Sequence, residues 1–425
     1  MQNWNSPPKI KSVFYDDFSE GIRQNVWRAL NECWSSQNNN GYSEENCLCS
    51  TNAAEVARVG GTGGIVAIRS NGDYASDPSK KRQGGGIVTK KLFGPGLYEV
   101  RMKVVPRAGQ CSAIWTYYNN WEKPMAVRKY SEIDLETPHG GDYRYYSGTT
   151  YQNYMNAEEK ICRSEVIGGE KPLNDGNWHV LAFEWRTASE SGDEGIIWYC
   201  DGKPVLRLDE AVPHYTATFW IASLFQDAPA WLGVPRFENA YLYVDWVKIT
   251  EYEDPVQPGA AEKESRLCFT GIDLKDQPLP ETEYIANGQF SQPPVVRGFK
   301  GTEMCVWELT EGAEIANGKL VLPQGQGAAQ TIEAQYDGFI FETEIEASGN
   351  VRVYLEYLSG KANQADPELT VIGRSEHFDC CGERKTIKEN LQICEKRTEH
   401  IRIVLEGVAD SEVYRVSMRK RSKEL

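Results

Sequence analysis

The sequence predicts an all-β protein with two β-sandwich domains, and three observations carry this prediction. The chain has 425 residues, which is more than one ordinary hydrophobic core accommodates. Short runs of alternating apolar and polar residues recur along it, and such alternation is typical of half-buried strands. Clusters of Gly, Pro, Asn and Asp separate the runs, as turns do in sandwiches and jelly rolls.

The first predicted domain covers residues 13–253 and reads as a β-jelly-roll sandwich. The turn DGK at 201–203, between two apolar runs, is a tight hairpin signal. The runs that define its strands are GIVAIRS, GLYEVRMKVV, CSAIWTYY, WHVLAFEWR, GIIWYC, TATFWIASLF and AYLYVDWVKITEY.

A linker is expected at residues 254–265, because this stretch is polar, contains prolines and lacks periodicity. Residues 266–425 are predicted to form a second, smaller β-sandwich. Its strand-like runs are NGKLVL, GFIFETEIEAS, VRVYLEYLS, HIRIVLEGV and VYRVSMRK.

The charge of the chain limits its partners. A net charge of −15 opposes binding to nucleic acid or anionic membrane, and no apolar run is long enough to cross a bilayer. It does not oppose a neutral sugar, whose apolar faces stack on rings such as those of the 12 Trp and 22 Tyr. We expect a monomer.

The eleven cysteines do not indicate a disulfide framework, because their number is odd and their spacing is irregular. A cluster near the C-terminus lacks the Cys-x-x-Cys spacing of a zinc knuckle, so thiols or a disulfide are expected there rather than zinc. The cluster comprises His377, Cys380, Cys381, Cys394 and His400.

The stretch YSEIDLETPHG, residues 130–140, holds the main candidate site. On a strand, Glu132, Asp134 and Glu136 share one face, and Ile133 and Leu135 face the core. The Cα atoms of the two glutamates are then roughly 13 Å apart, and inward-leaning carboxyl groups approach to about 5–6 Å. Retaining glycosidases need about 5–5.5 Å and inverting ones about 6.5–9.5 Å, so this spacing favours a retaining pair.

Electrostatics predicts different protonation states for the two glutamates. Carboxylates about 6 Å apart at an effective dielectric near 20 repel by about 3 kcal/mol, equivalent to about two pKa units. One glutamate then keeps its proton near neutral pH while the other is ionised, as glycoside cleavage requires. The alternative is a solvated strand face that carries three acids by chance.

The motifs around the triplet resemble those of glycoside hydrolase family 16. EIDLE resembles the family signature, in which hydrophobic residues separate Glu, Asp and Glu. The segments that accompany it cover nearly all of residues 13–253 in the family's order, and they are FYDDFSEGIRQNVW, GGIVTKKLFGPGLYEVRMKVVPRAGQCSAIWTYY, NWHVLAFEWR with IIWYCDGKPV, WLGVP and YVDWVKITEY.

The resemblance implies a retaining endo-β-glycosidase with its cleft on the concave sheet of a jelly roll. Glu132 would be the nucleophile, Glu136 the general acid/base, and Asp134 the group that tunes their protonation. Trp115 would stack on a sugar next to the cleavage point, and Trp231 would lie at the cleft edge.

The substrate stays open at this point between a β-glucan and a β-galactan of the endo-β-galactosidase type. The sequence has Thr-Pro-His at 137–139, where glucanases of the family tend to have Phe-Leu-Gly, and it has an unusual insert at 119–130. Two alternative functions are a transglycosylase on the same scaffold and an inactive carbohydrate-binding jelly roll.

Other residues are candidates for sugar contacts. His139 is read as a partner of a sugar hydroxyl or as a solvated loop residue. Tyr151 and Gln152 lie on the next predicted strand, where one of them faces the cleft. Trp121 in the insert is a sugar platform or a loop anchor, and Trp220 is expected to fill the core.

We expect that no cofactor is required. The resemblance implies a structural calcium ion bound by Asp245, and the alternative is that this carboxylate pairs with a lysine. The second sandwich is either a carbohydrate-binding module or a structural unit. A polysaccharide or glycan substrate favours an extracellular protein. The first residues contain no signal peptide, so a cytoplasmic location is the alternative.

Overall fold

The computed structural model consists mainly of strands over the residues it describes, 4–31, 39–153, 161–169, 171–259, 271–274, 277–334, 336–360 and 368–421. The α-helices are α1, Ala53–Arg58, and α2, Pro229–Leu232, and short 3₁₀ turns lie at Glu44–Asn46, Met125–Val127, Ser189–Ser191 and Phe299–Gly301. No helix in this described part of the chain is long and apolar enough to span a bilayer.

The first sandwich is built from β1 to β16. In chain order these strands are Ile10–Asp16, Trp27–Ala29, Cys47–Ser50, Ile65–Asn71, Gly85–Thr89, Gly96–Lys103, Cys111–Asn119, Tyr130–Thr137, Tyr145–Gln152, Ile161–Gly168, His179–Ala188, Asp193–Cys200, Lys203–Leu208, Thr218–Leu224, Asn239–Tyr252 and Ile272–Asp273.

These strands form two sheets packed face to face, which confirms the predicted all-β sandwich. One sheet has nine strands in the order β13-β12-β11-β6-β15-β4-β3-β16, with β1 also paired to β15. The other has seven strands in the order β10-β9-β8-β7-β14-β5-β2. Strand β8, which carries the acidic triplet, therefore lies between β9 and β7 inside the seven-stranded sheet.

Alternation along β8 decides which of its residues enter the core. Ile133 and Leu135 are fully buried and belong to the cluster between the two sheets, together with Phe183, Trp198 and Ile221 from other strands. Burying an aliphatic or aromatic side chain of this size contributes roughly 1.5–3 kcal/mol. The core therefore fixes the register of β8 and turns the intervening acids to the outer face.

The second sandwich is built from β17 to β27 around a separate hydrophobic cluster. Its longest strand, β23, pairs through its first half with β27 and through its second half with β26, and all three belong to one nine-stranded sheet. The strands are Val295–Arg297, Glu303–Cys305, Glu308–Leu309, Glu314–Ala316, Lys319–Leu322, Gly327–Glu333, Ile340–Ser359, Thr370–Arg374, Phe378–Gln392, His400–Gly407 and Ser411–Arg421.

The chain does not enter the second sandwich directly after the predicted linker. Strand β16 pairs in parallel with β3 of the first sandwich, and Leu274 and Leu279 pack on that sandwich. Residues 254–259 also remain with the first sandwich, where the Gln257 N–H donates to the His214 carbonyl at 2.8 Å. Residues 260–265 of the predicted linker lie outside the described residues, and the division at 13–253 and 266–425 stays a prediction.

Buried charges join the two sandwiches. Arg107, 1% exposed, donates to the carbonyls of Tyr284 at 3.1 Å and Arg236 at 2.8 Å. Its guanidinium also reaches Glu333 at 3.5 Å, and Arg236 approaches the same carboxylate at 3.4 Å. Burial raises the pKa of Glu333, but the two arginines outweigh burial and hold that pKa below its ordinary value.

Nine cysteines lie in the described part of the chain, and all nine are free thiols. Those at 47, 49, 111 and 380 are buried, whereas Cys305, Cys381 and Cys394 are exposed. Among the described residues only His179, Cys200 and Asp201 bring metal-ligating atoms together, so the predicted cluster at 377–400 forms no such group. His179 there already lies between Asp175 at 3.1 Å and Asp201 at 2.9 Å.

Candidate active site

The acidic triplet lies on the outer face of the seven-stranded sheet, as the alternation predicts. Asp134 is 6% exposed, and Glu132 and Glu136 on either side of it are half-buried. The neighbouring strands place Trp115 and Thr149 opposite Asp134 on this face. We call the surface around Glu132, Asp134, Glu136 and Trp115 the carboxylate face.

Hydrogen bonds distinguish the two glutamates. The Tyr130 hydroxyl donates to Glu132 Oε2, and Asp134 shares a second hydrogen bond with the same carboxyl group. Glu136 is hydrogen-bonded to Ser147 on β9. These hydrogen bonds lower the pKa of Glu132, but burial and the charge of Glu136 outweigh them and raise it to about 8. Burial raises the pKa of Glu136 to about 7.

Burial raises the pKa of all three carboxyl groups above the ordinary range. The neighbouring glutamates raise the pKa of Asp134 further, because three negative charges on one short segment repel each other. The raised pKa favours the neutral form of Asp134, which can donate the hydrogen bond that it shares with Glu132. The triplet as a whole keeps protons at a pH where isolated carboxyl groups are ionised.

Tyr130 and Ser147 were not singled out in the sequence, although both contact the triplet. Tyr130 precedes Glu132 by two positions, so the same alternation places it on the carboxylate face. Ser147 is opposite Glu136 only because β8 and β9 pair in this register. The first residue was therefore recognisable from the pattern, whereas the second required knowledge of strand pairing.

Two tryptophans form the apolar part of the carboxylate face. The rings of Trp115 and Trp220 stack with centroids 5.3 Å apart at an interplanar angle of 22°. Trp220 is buried, but it belongs to the cluster on this outer face and not to the core between the sheets, where it was expected. Leu232 of α2 completes that cluster, and Trp231 packs against it.

Comparison with known proteins agrees with this geometry. Residues 54–230 match the model of glycosyl hydrolases family 16. The chain contains a family 16 segment.

The curated relatives are β-glucanases. A β-glucanase of Brevibacillus brevis is 26% identical over 180 residues, which are 41% of this chain and 63% of that protein. A β-glucanase of Bacillus subtilis (strain 168) is 27% identical over 244 residues, 56% of this chain and 86% of that protein. The chain thus spans a little less than two thirds of the Brevibacillus relative's length.

Among solved structures, a lichenase derived from a mouse hindgut metagenome aligns with 58% of this chain and 100% of its own. The TM-score is 0.44 and the sequence identity 22%.

Tyr151 and Gln152 on β9 are both predicted to contact the sugar, and the structure brings only Tyr151 to the triplet. Tyr151 is opposite Glu132, and burial together with the nearby acids raises its pKa. Gln152 is the next residue along the strand and therefore lies on the opposite face, where it is paired with Ser131. Its role as a substrate-binding residue stays a prediction, and this register does not bring it to the triplet.

The remaining candidates border the carboxylate face, Trp121 and His139 on loops and Trp231 on α2. Trp121 is 45% exposed, its Nε1 donates to the Tyr117 hydroxyl at 3.1 Å, and the Arg128 guanidinium lies 4.9 Å from its ring centroid. His139 follows β8 in a turn whose Gly141 N–H donates to the Trp231 carbonyl at 2.9 Å. The structure therefore puts all three predicted residues on the border of this face.

Asp245 does not fit a calcium site. Its side chain is fully buried beside a bulge in β15, where it forms an ion pair with Arg101. The same carboxylate accepts hydrogen bonds from the Thr62 N–H at 2.7 Å and from the Thr62 hydroxyl. A guanidinium already neutralises this carboxylate, so the prediction of a calcium ligand at Asp245 has no support in the donor set.

Proposed function

We propose that the chain is a retaining endo-β-glucanase that cleaves internal linkages of a β-glucan. The observation that carries the proposal is the pair of glutamates on one face of β8, each hydrogen-bonded and each with a pKa that burial raises. Neighbouring carboxyl groups with pKa values of about 7 and about 8 share a proton near neutral pH, so one can be ionised while the other is protonated, as double displacement needs.

Each residue of the triplet has one role in this mechanism. Glu132 attacks the anomeric carbon and forms a glycosyl ester, while Glu136 gives its proton to the departing oxygen. Glu136 then removes a proton from water, which attacks the same carbon and releases Glu132. Asp134 and Tyr130 donate hydrogen bonds to Glu132, and they stabilise it as the carboxylate that leaves in the second step.

The choice of glucan rests on the named relatives, which are β-glucanases. Trp121, which is 45% exposed, and the partly buried Trp231 support a sugar ligand in general, because pyranose faces pack on accessible indole rings. The acidic chain is compatible with a neutral polymer. We therefore expect a neutral polysaccharide as the partner.

The test is a substrate panel of β-glucans, agar-type galactans and mucin glycans, with the released oligosaccharides identified by mass spectrometry. Cleavage of a β-glucan is expected, with the β-anomer as the first product in NMR spectra. Cleavage confined to galactans would overturn the choice of sugar. An α-anomer as the first product would overturn the retaining mechanism.

The roles of the two glutamates are tested with Glu132→Ala and Glu136→Ala in the presence of azide. Each variant should lose activity by roughly 1,000-fold or more. Azide should give an α-glycosyl azide with Glu132→Ala and a β-glycosyl azide with Glu136→Ala, because it replaces the nucleophile in one and water in the other. Glu165→Gln, an exposed acid on β10, is the matched control.

The same reactions test the two alternative functions. With an added acceptor sugar, products longer than the starting oligosaccharide would dominate for a transglycosylase and would remain minor for a hydrolase. Binding without turnover on every member of the panel would instead indicate a carbohydrate-binding jelly roll.

A further inference from the structure

A large polar pocket lies where the two sandwiches meet, and we call it the junction pocket. Its volume is about 620 Å³, within the roughly 300–1,000 Å³ that ligand sites usually have. The first sandwich contributes Asp73, Arg82 and Pro229, and the second contributes Thr302 and His400, among others. Neither sandwich forms the pocket without the other.

The junction pocket shares a wall with the carboxylate face. Helix α2 has four residues, of which Pro229 lines the pocket while Trp231 packs beside the Trp115 and Trp220 pair. Pro229 and Trp231 are two positions apart, which is about 3 Å along the helix axis. A chain of sugars that leaves the carboxylate face past Trp231 therefore meets the junction pocket next.

Contacts from both sandwiches hold this shared wall in place. Asp227, just before α2, accepts a hydrogen bond from Arg82 at 3.1 Å and approaches Lys300 of the second sandwich at 3.5 Å. Arg82 also forms an ion pair with Asp73 at 2.9 Å and lies 5.4 Å from the ring centroid of Phe299. The loop between β17 and β18 is thereby fixed against the border of the carboxylate face.

The lining favours a neutral, hydroxyl-rich ligand. It contains three arginines and four acids, which nearly balance, and most of its groups donate or accept hydrogen bonds. His400 is 2% exposed, and neither of its ring nitrogens has a partner among the described residues. A buried ring without hydrogen bonds is unfavourable, so a hydroxyl group that reaches it is stabilising.

Burial lowers the pKa of His400, and Arg236 lowers it further although Glu333 opposes this. The ring is thus neutral at pH 7 and offers one donor and one acceptor nitrogen. A sugar hydroxyl group both donates and accepts hydrogen bonds, so it can pair with either nitrogen, whereas a metal ion can bind only the acceptor nitrogen.

We infer that the junction pocket is an accessory sugar-binding site, which holds the part of a neutral β-linked glycan that extends beyond the carboxylate face. This inference rests on the proposed function for the identity of the sugar. It gives the second sandwich a role in binding the same chain that the first sandwich cleaves.

Cys305 provides a direct test, because it lines the junction pocket and is exposed. The full chain carrying Glu136→Gln, which leaves oligosaccharides intact, is alkylated with iodoacetamide, and the rate at each cysteine is followed by peptide mass spectrometry. Cys381, an exposed thiol on β25 that does not line this pocket, is the internal control. The probes are β-glucan oligosaccharides of increasing length.

Long oligosaccharides should slow the alkylation of Cys305 about tenfold at ten times their dissociation constant, with no change at Cys381. Short ones that occupy only the carboxylate face should not protect it. Thr302→Trp, at an exposed lining position, should abolish the protection and raise KM for long substrates only. Glu311→Trp, at an exposed position that does not line the pocket, should change neither.

An unchanged Cys305 rate at every oligosaccharide length would overturn the inference, as would equal protection of Cys305 and Cys381. The alkylation readout does not require turnover. A wild-type chain that cleaves no β-glucan would therefore refute the proposed function. Protection of Cys305 would still show whether the junction pocket binds the oligosaccharide.

Discussion

The side chain of Asp134 is placed where an ionised carboxyl group is least favourable. It is 6% exposed and lies between two glutamates that repel its negative charge. The folded chain binds this proton more tightly than the unfolded chain does. The free energy of unfolding therefore falls as the pH rises from about 4 toward the raised pKa of Asp134.

Asp134→Asn should remove this loss of stability. We expect a higher free energy of unfolding than wild type at pH 7, by about 1.4 kcal/mol for each unit by which folding raises the pKa of Asp134. Thermal unfolding at pH 4 and pH 7 measures the effect, with Glu165→Gln as control. A gain that is equally large at pH 4 would show that ionisation of Asp134 is not its cause.

Tyr130→Phe tests the hydrogen bond to the proposed nucleophile. That bond lowers the pKa of Glu132, so its loss should move the acidic limb of the kcat/KM profile to higher pH. A hydrogen bond to a charged group contributes about 1.5–3 kcal/mol, which corresponds to a roughly ten- to hundredfold lower kcat. Tyr145→Phe at the start of β9 is the control, and an acidic limb at the same pH in both variants would contradict the assignment.

Single strands were well predicted from the sequence, whereas their partners were not. The alternation around Ile133 and Leu135 indicated both the strand and its buried face, because only one register buries both residues. Ser147 and Tyr151 reach the triplet through the pairing of β8 with β9, which no local pattern encodes. For the same reason the sequence could not distinguish Tyr151 from Gln152, since their faces depend on where β9 begins.

The bulge in β15 shows how local geometry changes the role of a residue. The register against β6 shifts between Val244 and Trp246, and this shift turns Asp245 toward Arg101 and Thr62. A bulge is not visible as a break in the apolar pattern. The sequence therefore allowed calcium or a lysine at this position, and the observed partner is an arginine.

Arg101→Met should destabilise the first sandwich because it leaves a buried carboxylate without its cation. Removing one partner of a buried ion pair costs about 3–5 kcal/mol. Urea unfolding followed by tryptophan fluorescence measures the loss, and Lys248→Met, which removes an exposed partner of Glu99 on the same sheet, should cost about 1 kcal/mol or less. Equal losses in the two variants would contradict the buried pair.

At the scale of the molecule, the two sandwiches are joined by contacts that could not be predicted from either half. Arg107 and Arg236 come from the first sandwich, and Glu333 comes from the second, about a hundred positions or more along the chain. The runs of alternating residues indicated two β-sandwiches. Their mutual arrangement depends on such long-range pairs, and so does the junction pocket.

Glu333→Gln should weaken the attachment of the two sandwiches, because Arg107 remains buried without a countercharge. The expected loss in the free energy of unfolding is about 3–5 kcal/mol. Glu308→Gln, at an exposed acid 3.7 Å from Arg402 on the second sandwich, should change stability by about 1 kcal/mol or less. Denaturant titration of both variants makes the comparison, and coincident midpoints would rule out a stabilising role for Glu333.

The buried free thiols allow partial unfolding of each sheet to be followed by chemical labelling. Cys47 and Cys49 lie in the nine-stranded sheet, Cys111 belongs to the same cluster as Trp115 and Trp220, and Cys380 belongs to the second sandwich. A thiol reagent can modify each of them only when its own layer separates. The order in which the four become labelled in dilute denaturant would record which part of the architecture gives way first, without any engineered probe.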